Sequence, residues 1–421
     1  KLMFCWKTIY QIYLTRSRKS ECMRIKVGVI FGGETVEHEV SIISAVQAMN
    51  YIDQEKYEII PIYIGKDRIW YTGKMLMEMD VYKDFDSLKR YAKKVTLTKI
   101  GEEFCLQTTK GLFRKTVATL DVAFPIVHGK GAEDGSLAGY LDMIGIPYVG
   151  PDILGAALGQ DKVVMKQVME SDHIPVPKYT WFYDTEYLSD SDKILKNIKE
   201  LGYPVIIKPA KLGSSVGITV AKSEKEIDKC INEAIQYDKK IVVEQAIPNL
   251  LEVNCAVLGN YEFAETSAIA EMLTKNDFLT YEDKYIGSGK GKAGKKISNG
   301  GKMSNSEMVI PARLDKDLEQ KVRELSLAAF RSLNLSGVAR IDFLINKETK
   351  DVFVNEPNTI PGSLSFYMWK PVGKDYKTLL DDMIKIAIKG YKDSSKKTTS
   401  FESNILSTFN GSKGMKNKTG M

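Results

Sequence analysis

Residues 337–365, GVARIDFLINKETKDVFVNEPNTIPGSLS, decide how the rest of the chain is read. Two β-branched runs, VARIDFLI and DVFVNE, flank the polar NKETK, which is the pattern of a hairpin. Glu356 and Asn358 stand two apart on the second run, so their side chains share a face, and Asp342 meets them from the neighbouring strand. Hard oxygen donors with the cation Arg340 close to Asp342 suit Mg²⁺ shared with a phosphate better than a closed all-protein cage. An isolated pattern of this kind also describes an ordinary amphipathic hairpin with solvated carboxylates, and only the remaining chain separates the two.

At 421 residues the chain has room for two or three domains. Its 43% hydrophobic and 27% charged content is that of a soluble globular protein, and a net charge of +6 permits a phosphate-bearing ligand without pointing to nucleic acid. Cys5, Cys22, Cys105, Cys230 and Cys255 show no C-x-x-C spacing, so neither a disulfide framework nor a zinc site is indicated; reduced thiols and a cytoplasmic location fit. Residues 1–23 read as an extension outside the fold. Their apolar part is interrupted by Lys7 and Gln11 and is too short for stable membrane insertion, with a weak membrane-surface anchor as the alternative.

RIKVGVIFGG (24–33) reads as a buried strand running into a double glycine and then a helix, ETVEHEVSIISAVQAMNYI, a corner where free N–H groups bind ligands in doubly wound α/β folds. There is no G-x-G-x-x-G, so a dinucleotide site is not indicated. Residues 66–115 show no period that places their elements. With the strand LDVAFPIVHG and the glycine-rich loop and helix after it, an α/β domain spans 24–150. A helix stopped near Asp172 leads into a central unit, 151–250, in which KLGSSVG lies between strands YPVIIKPA and ITVAK. That loop is either a phosphate lid built from backbone amides or a plain hairpin turn. The third unit, 251–392, holds two strands, a long Gly/Lys/Ser-rich stretch that reads as a functional loop or disorder, an amphipathic helix, the hairpin and a last helix. A disordered polar tail, 393–421, follows.

Several motifs then line up in one order: GG-x3-EHEVS, HG-x3-EDGSL, DK at 161–162, IKPA-x2-GSS-x-G, VEQ, YEDKY, ARID and NEPNT-x-PG. This order and spacing resembles the D-alanine:D-alanine ligase family of the ATP-grasp superfamily over roughly residues 24–390. The resemblance implies a three-domain ATP-grasp architecture of the α/β (α+β) class with an N-terminal doubly wound domain. It also implies an ATP-dependent ligase that activates one D-alanine as an acyl phosphate and joins it to a second, for peptidoglycan precursors. Such chemistry sets an anionic carboxylate against a triphosphate, so cations have to gather there.

On this resemblance Asp342 and Glu356 hold one Mg²⁺ and Glu356 and Asn358 a second, with Mn²⁺ able to stand in. Lys162 and Lys208 bind the ATP phosphates under the loop of Gly213, Ser214 and Ser215; for Lys208 the alternative is a solvated strand-end lysine. Glu244 accepts from the adenine amine, Gln245 stands where many members have lysine, the backbone near Ile247 completes the base site, and Glu252 takes the ribose. Glu37 binds the first substrate's ammonium, relayed through Ser214 and Tyr285, with helix-dipole stabilisation as a compatible role. His128, by residue type alone a structural histidine, takes a substrate-side role in its HG-x3-EDG context. Arg340 and the Gly362 N–H form the oxyanion hole, and Lys284 reaches the γ-phosphate or the second substrate's carboxylate.

The chain departs from the family after Gly362. SLSFYMW puts Tyr367 where dipeptide-forming members have a serine for the second carboxylate, with Ser363 or Ser365 as substitutes. The second substrate is therefore D-alanine or, alternatively, D-serine, D-lactate or another amino acid. A non-catalytic ATP-binding module is the rival of another class. Family members are commonly homodimers.

Overall fold

The computed structural model describes residues 24–111, 113–213, 216–273 and 307–400. Three sheets carry the chain. In the first, β1 (Ile25–Gly32), β2 (Tyr57–Ile64), β3 (Trp70–Thr72), β4 (Lys93–Ile100), β5 (Glu103–Thr108), β6 (Thr116–Leu120) and β7 (Val122–Ile126) are ordered β6-β5-β4-β3-β2-β1-β7. β1 runs parallel to both β2 and β7, and the strands beyond β2 are antiparallel. Alternation along β1 splits its side chains: Val27, Val29 and Phe31 pack with helix His38–Tyr51, while Ile30 packs with helix Ser136–Ile144 on the other face. The stretch 66–115, which no period places from sequence, is largely this antiparallel extension, whose strands are short or half-exposed.

The second sheet joins β8 (Tyr179–Tyr183), β9 (Val205–Pro209), β10 (Thr219–Ala221) and β11 (Lys240–Gln245) in the antiparallel order β10-β9-β11-β8. Ile207, Ile241 and Val243 face helices Asp192–Leu201 and Glu224–Ala234. The alternate residue Val242 meets Val163 at the start of helix Lys162–Ser171, so Lys208 and Glu244 share that helix's side. The passage read as one helix stopping near Asp172 is two, Ile153–Gln160 and Lys162–Ser171. Asp161 between them has an extended backbone and caps the second, accepting from the Val163 and Val164 amides.

The third sheet is β14 (Glu307–Val309), β13 (Ala264–Leu273), β12 (Leu250–Gly259), β15 (Gly337–Asn346) and β16 (Val352–Asn358), in that spatial order and antiparallel throughout. Val253, Ile341, Phe343 and Val354 pack under helix Lys316–Ser332, while the opposite face carries Arg340 and Asp342 and, towards the first sheet, the buried Leu258 and Val338. The last helix, Tyr376–Ser394, continues past the expected boundary at 393, and the tail from 401 lies outside the described residues. Helix Tyr376–Ser394 packs on helix His38–Tyr51 and β7 and ties the third sheet to the first. Tyr57 Oη donates to Asp381 Oδ1 at 2.8 Å across that contact.

Candidate active site

The hairpin forms as the sequence predicts. Arg340 lies opposite Asn358 and Asp342 opposite Glu356, and the register slips by one residue beyond Asp342. This bulge leaves Asn355 and Glu356 both partly exposed and both engaged across the cleft, a placement that strict alternation would forbid. Arg340 grips Asp342 through both carboxylate oxygens, at 2.7 Å each, and Asn358 Nδ2 donates to Asp342 Oδ2 at 3.1 Å.

The lysines come from the second sheet and its helix. Lys162 Nζ is 3.1 Å from Glu356 Oε2 and donates to the Leu212 carbonyl at 3.0 Å, directly before the Gly213 loop. Lys208 Nζ donates to Glu244 Oε2 at 2.8 Å and to Asn355 Oδ1 at 3.3 Å. The sequence reading missed Asn355 and Lys166, whose Nζ lies 3.3 Å from Glu244 Oε1. The signal for Lys166 was its i, i+4 spacing from Lys162 on one helix.

Charge balance here follows from burial. Burial alone would raise the Glu244 carboxyl, but Lys166 and Lys208 outweigh it and hold the group below its usual range. Burial works against a charged Lys208, yet Glu244 and Glu356 carry its net shift upward. For Lys166 burial dominates and the ammonium lies below its ordinary range.

At the other end of the cleft, Glu37 sits at the start of helix His38–Tyr51 with its carboxylate against two glycine backbones. A Cβ on Gly129, whose φ is +75°, would stand 2.9 Å from Glu37 Oε2, and one on Gly213 would stand 3.4 Å from it. The second glycine loop therefore reaches Glu37. His128 is buried with Nε2 3.1 Å from Ser44 Oγ, and burial depresses its pKa against the pull of Glu37. Ser44 Oγ also accepts from the Ser363 N–H at 2.9 Å, and Ser363 Oγ donates to Gln47 Oε1 at 2.6 Å. Neither Ser44 nor Gln47 stood out in the sequence.

Glu133, also missed, accepts from the Gly129 amide at 2.7 Å and the Ile360 amide at 3.3 Å, joining the HG loop to the segment after the hairpin. Burial and the nearby Glu37 push its carboxyl up to about 8.

Following Gly362, Ser363, Leu364 and Ser365 all take left-handed backbone, with φ of 50°, 52° and 51°. Ser365 is buried, and its hydroxyl makes no hydrogen bond among the described residues. Tyr367 is half-buried, edge-on to Phe366. Gln245 ends β11, Ile247 is half-buried on the linker after it, and Glu252 on β12 pairs opposite Leu344 of β15. Ser214, Ser215, Lys284 and Tyr285 lie outside the described residues.

Known proteins resemble this chain over most of its length. The family descriptions "D-ala D-ala ligase N-terminus" and "D-ala D-ala ligase C-terminus" match residues 26–151 and 168–385. A D-alanine–D-alanine ligase of Thermosipho melanesiensis is 39% identical over 91% of this chain and 98% of its own. One from Clostridium acetobutylicum is 36% identical over 87% and 98%. Among solved structures, the VanG D-Ala:D-Ser ligase of Enterococcus faecalis superposes with a TM-score of 0.73 at 29% identity, covering 87% of this chain and all of its own. The D-alanine-D-alanine ligase of Coxiella burnetii gives 0.72 at 27% identity, over 89% and 98%. The fold is thus the ATP-grasp fold, and the chain belongs to the D-alanine–D-alanine ligase family.

Proposed function

We propose that this protein is an ATP-dependent ligase that forms D-alanyl-D-alanine for peptidoglycan precursors through an acyl phosphate. One observation carries the reading: Lys162 pairs with the hairpin carboxylate Glu356, Lys208 reaches the hairpin amide Asn355, and the glycine loop that follows the Leu212 carbonyl held by Lys162 comes against Glu37. Lys162 and Lys208 neutralise the ATP phosphates, and the Gly213–Gly217 loop, with Ser214 and Ser215, closes over them. Glu244 accepts from the adenine amine beside the Gln245 and Ile247 backbone, and Glu252 takes the ribose.

Asp342, Glu356 and Asn358 fit Mg²⁺. They are oxygen donors on one face of a hairpin, and the two carboxylates, which pair with Arg340 and Lys162, are the anionic oxygen ligands a hard divalent cation takes. Two Mg²⁺ ions, or Mn²⁺ in their place, would supply further charge neutralisation to the triphosphate. Glu37 holds the first substrate's ammonium, with Ser214 and Tyr285 relaying to it and His128 alongside. Arg340 and the Gly362 N–H stabilise the oxyanion, and Lys284 shields the transferring phosphoryl group or binds the second carboxylate.

The experiment is phosphate release with ATP, Mg²⁺ and D-alanine, with the product identified by mass spectrometry. Turnover that ignores D-alanine, or none with any D-amino acid, refutes the proposal. A second reading, in which D-serine, D-lactate or another amino acid is the acceptor, is favoured by Tyr367 and the SLSFYMW segment; a panel of acceptors separates the two. The same reading makes the enzyme a cytoplasmic homodimer, which sedimentation and fractionation test. Among the described residues no helix is long and apolar enough to cross a membrane.

A further inference from the structure

Lys166 is a buried cation that the proposed reaction leaves without a task. It follows Lys162 by one turn of helix Lys162–Ser171, so both ammonium groups leave the same face of that helix. Their surroundings differ. Lys162 reaches the hairpin, whereas Lys166 is 0% exposed, its Nζ lies 3.3 Å from Glu244 Oε1 and 5.7 Å from the Tyr179 ring centroid, and it makes no hydrogen bond among the described residues.

Glu244 is itself only 1% exposed, and its second oxygen accepts from Lys208 at 2.8 Å. Lys208, however, is shared with Asn355 of the hairpin and belongs to the phosphate-binding pair. Among the described residues Glu244 is the charge partner within salt-bridge distance of Lys166. A buried carboxylate whose one counter-ion also serves a triphosphate would be poorly compensated, and Lys166 removes that conflict.

We propose that Lys166 is a positioning residue: it is the fixed counter-ion of Glu244, keeps that carboxylate charged and oriented, and thereby makes the nucleotide site select a purine with an exocyclic 6-amine over one with a 6-carbonyl. The physical basis is that an ionised carboxylate only accepts hydrogen bonds; it pairs with an amine and repels a carbonyl oxygen. The inference rests on the reading of Glu244 as the acceptor for the adenine amine.

The test compares ATP with inosine triphosphate in phosphate-release assays on the full chain, for the parent protein, K166M, E244Q and K166M/E244Q, with folding checked by circular dichroism. K166M is expected to raise KM for ATP about tenfold, to act on KM more than on kcat, and to cut the ATP-over-ITP preference in kcat/KM about tenfold. A merely structural lysine would lower the amount of active protein without changing that preference. K166M with an unchanged preference, while E244Q loses it, overturns the role of Lys166 and leaves the Glu244 reading intact. E244Q with an unchanged preference overturns the Glu244 reading itself, and the Lys166 role with it. If K166M does not fold, the double variant decides: a preference equal to that of E244Q supports action through Glu244, and a further independent loss overturns it.

Discussion

Replacing Ser44 by alanine would test whether the segment after Gly362 is held from the first domain. Ser44 Oγ stands 3.1 Å from His128 Nε2 and accepts from the Ser363 N–H at 2.9 Å, at a place where all three residues are buried. Taking the acceptor from the Ser363 amide costs about 1–3 kcal/mol, and losing the bond to a neutral imidazole about 0.5–1.5 kcal/mol. The sum is about 1.5–4.5 kcal/mol, which predicts a fall of several degrees in Tm. The catalytic consequence is larger in kind. Ser363–Ser365 hold left-handed backbone that costs roughly 1–2 kcal/mol per residue, so the segment depends on its tethers to keep Gly362 in place. S44A should therefore lower kcat by about tenfold to a hundredfold, the range expected for a misaligned oxyanion donor, with KM for ATP little changed. Steady-state phosphate release alongside calorimetry measures both. A Tm within about 1 °C of the parent protein together with a kcat within about twofold would show that Ser44 does not hold the segment after Gly362.

Other perturbations give separate readings. D342N keeps the shape of the side chain that Arg340 grips and removes its charge; turnover should drop by at least about a hundredfold with the fold retained by circular dichroism, and near-normal turnover would remove Asp342 from the metal assignment. Glu133 is raised to about 8 in the folded protein, so its contribution to stability is present below the ordinary carboxylate range and lost as pH rises through about 8. The Tm of the parent protein should accordingly fall relative to that of E133Q across this window, and parallel Tm–pH curves would contradict the shift. Y367F should raise KM for the acceptor amino acid about tenfold if the phenol donates to its carboxylate; an unchanged KM transfers that role to Ser363 or Ser365.

Much of the fold was legible wherever an element had a period. The VARIDFLI and DVFVNE runs predicted the hairpin, and alternation on it predicted that Glu356 and Asn358 share a face. What stayed hidden depends on contacts between distant segments. The bulge that brings Asn355 to Lys208 is a slip of one residue in pairing, which composition does not encode. Lys166 looked like any helix-surface lysine, since its burial comes from the second sheet closing over it. Ser44 and Gln47 lie on an otherwise apolar stretch of helix and gain meaning only when the loop after Gly362, far along the chain, arrives at them. The stretch 66–115 was unreadable for a further reason: short edge-side strands bury too few residues to impose a clean alternation.

The packing of helix Tyr376–Ser394 on helix His38–Tyr51 and β7 has a consequence for how the protein is made. The first strands leave the ribosome long before the helix that covers their shared core, and the Tyr57–Asp381 bond joins residues 324 positions apart. The N-terminal sheet must therefore wait with an apolar surface uncovered until helix Tyr376–Ser394 has been made. Such long-range closure slows folding and exposes the nascent chain to aggregation. A chain stopped before Tyr376 should accumulate as insoluble material even though every strand of all three sheets has already been translated.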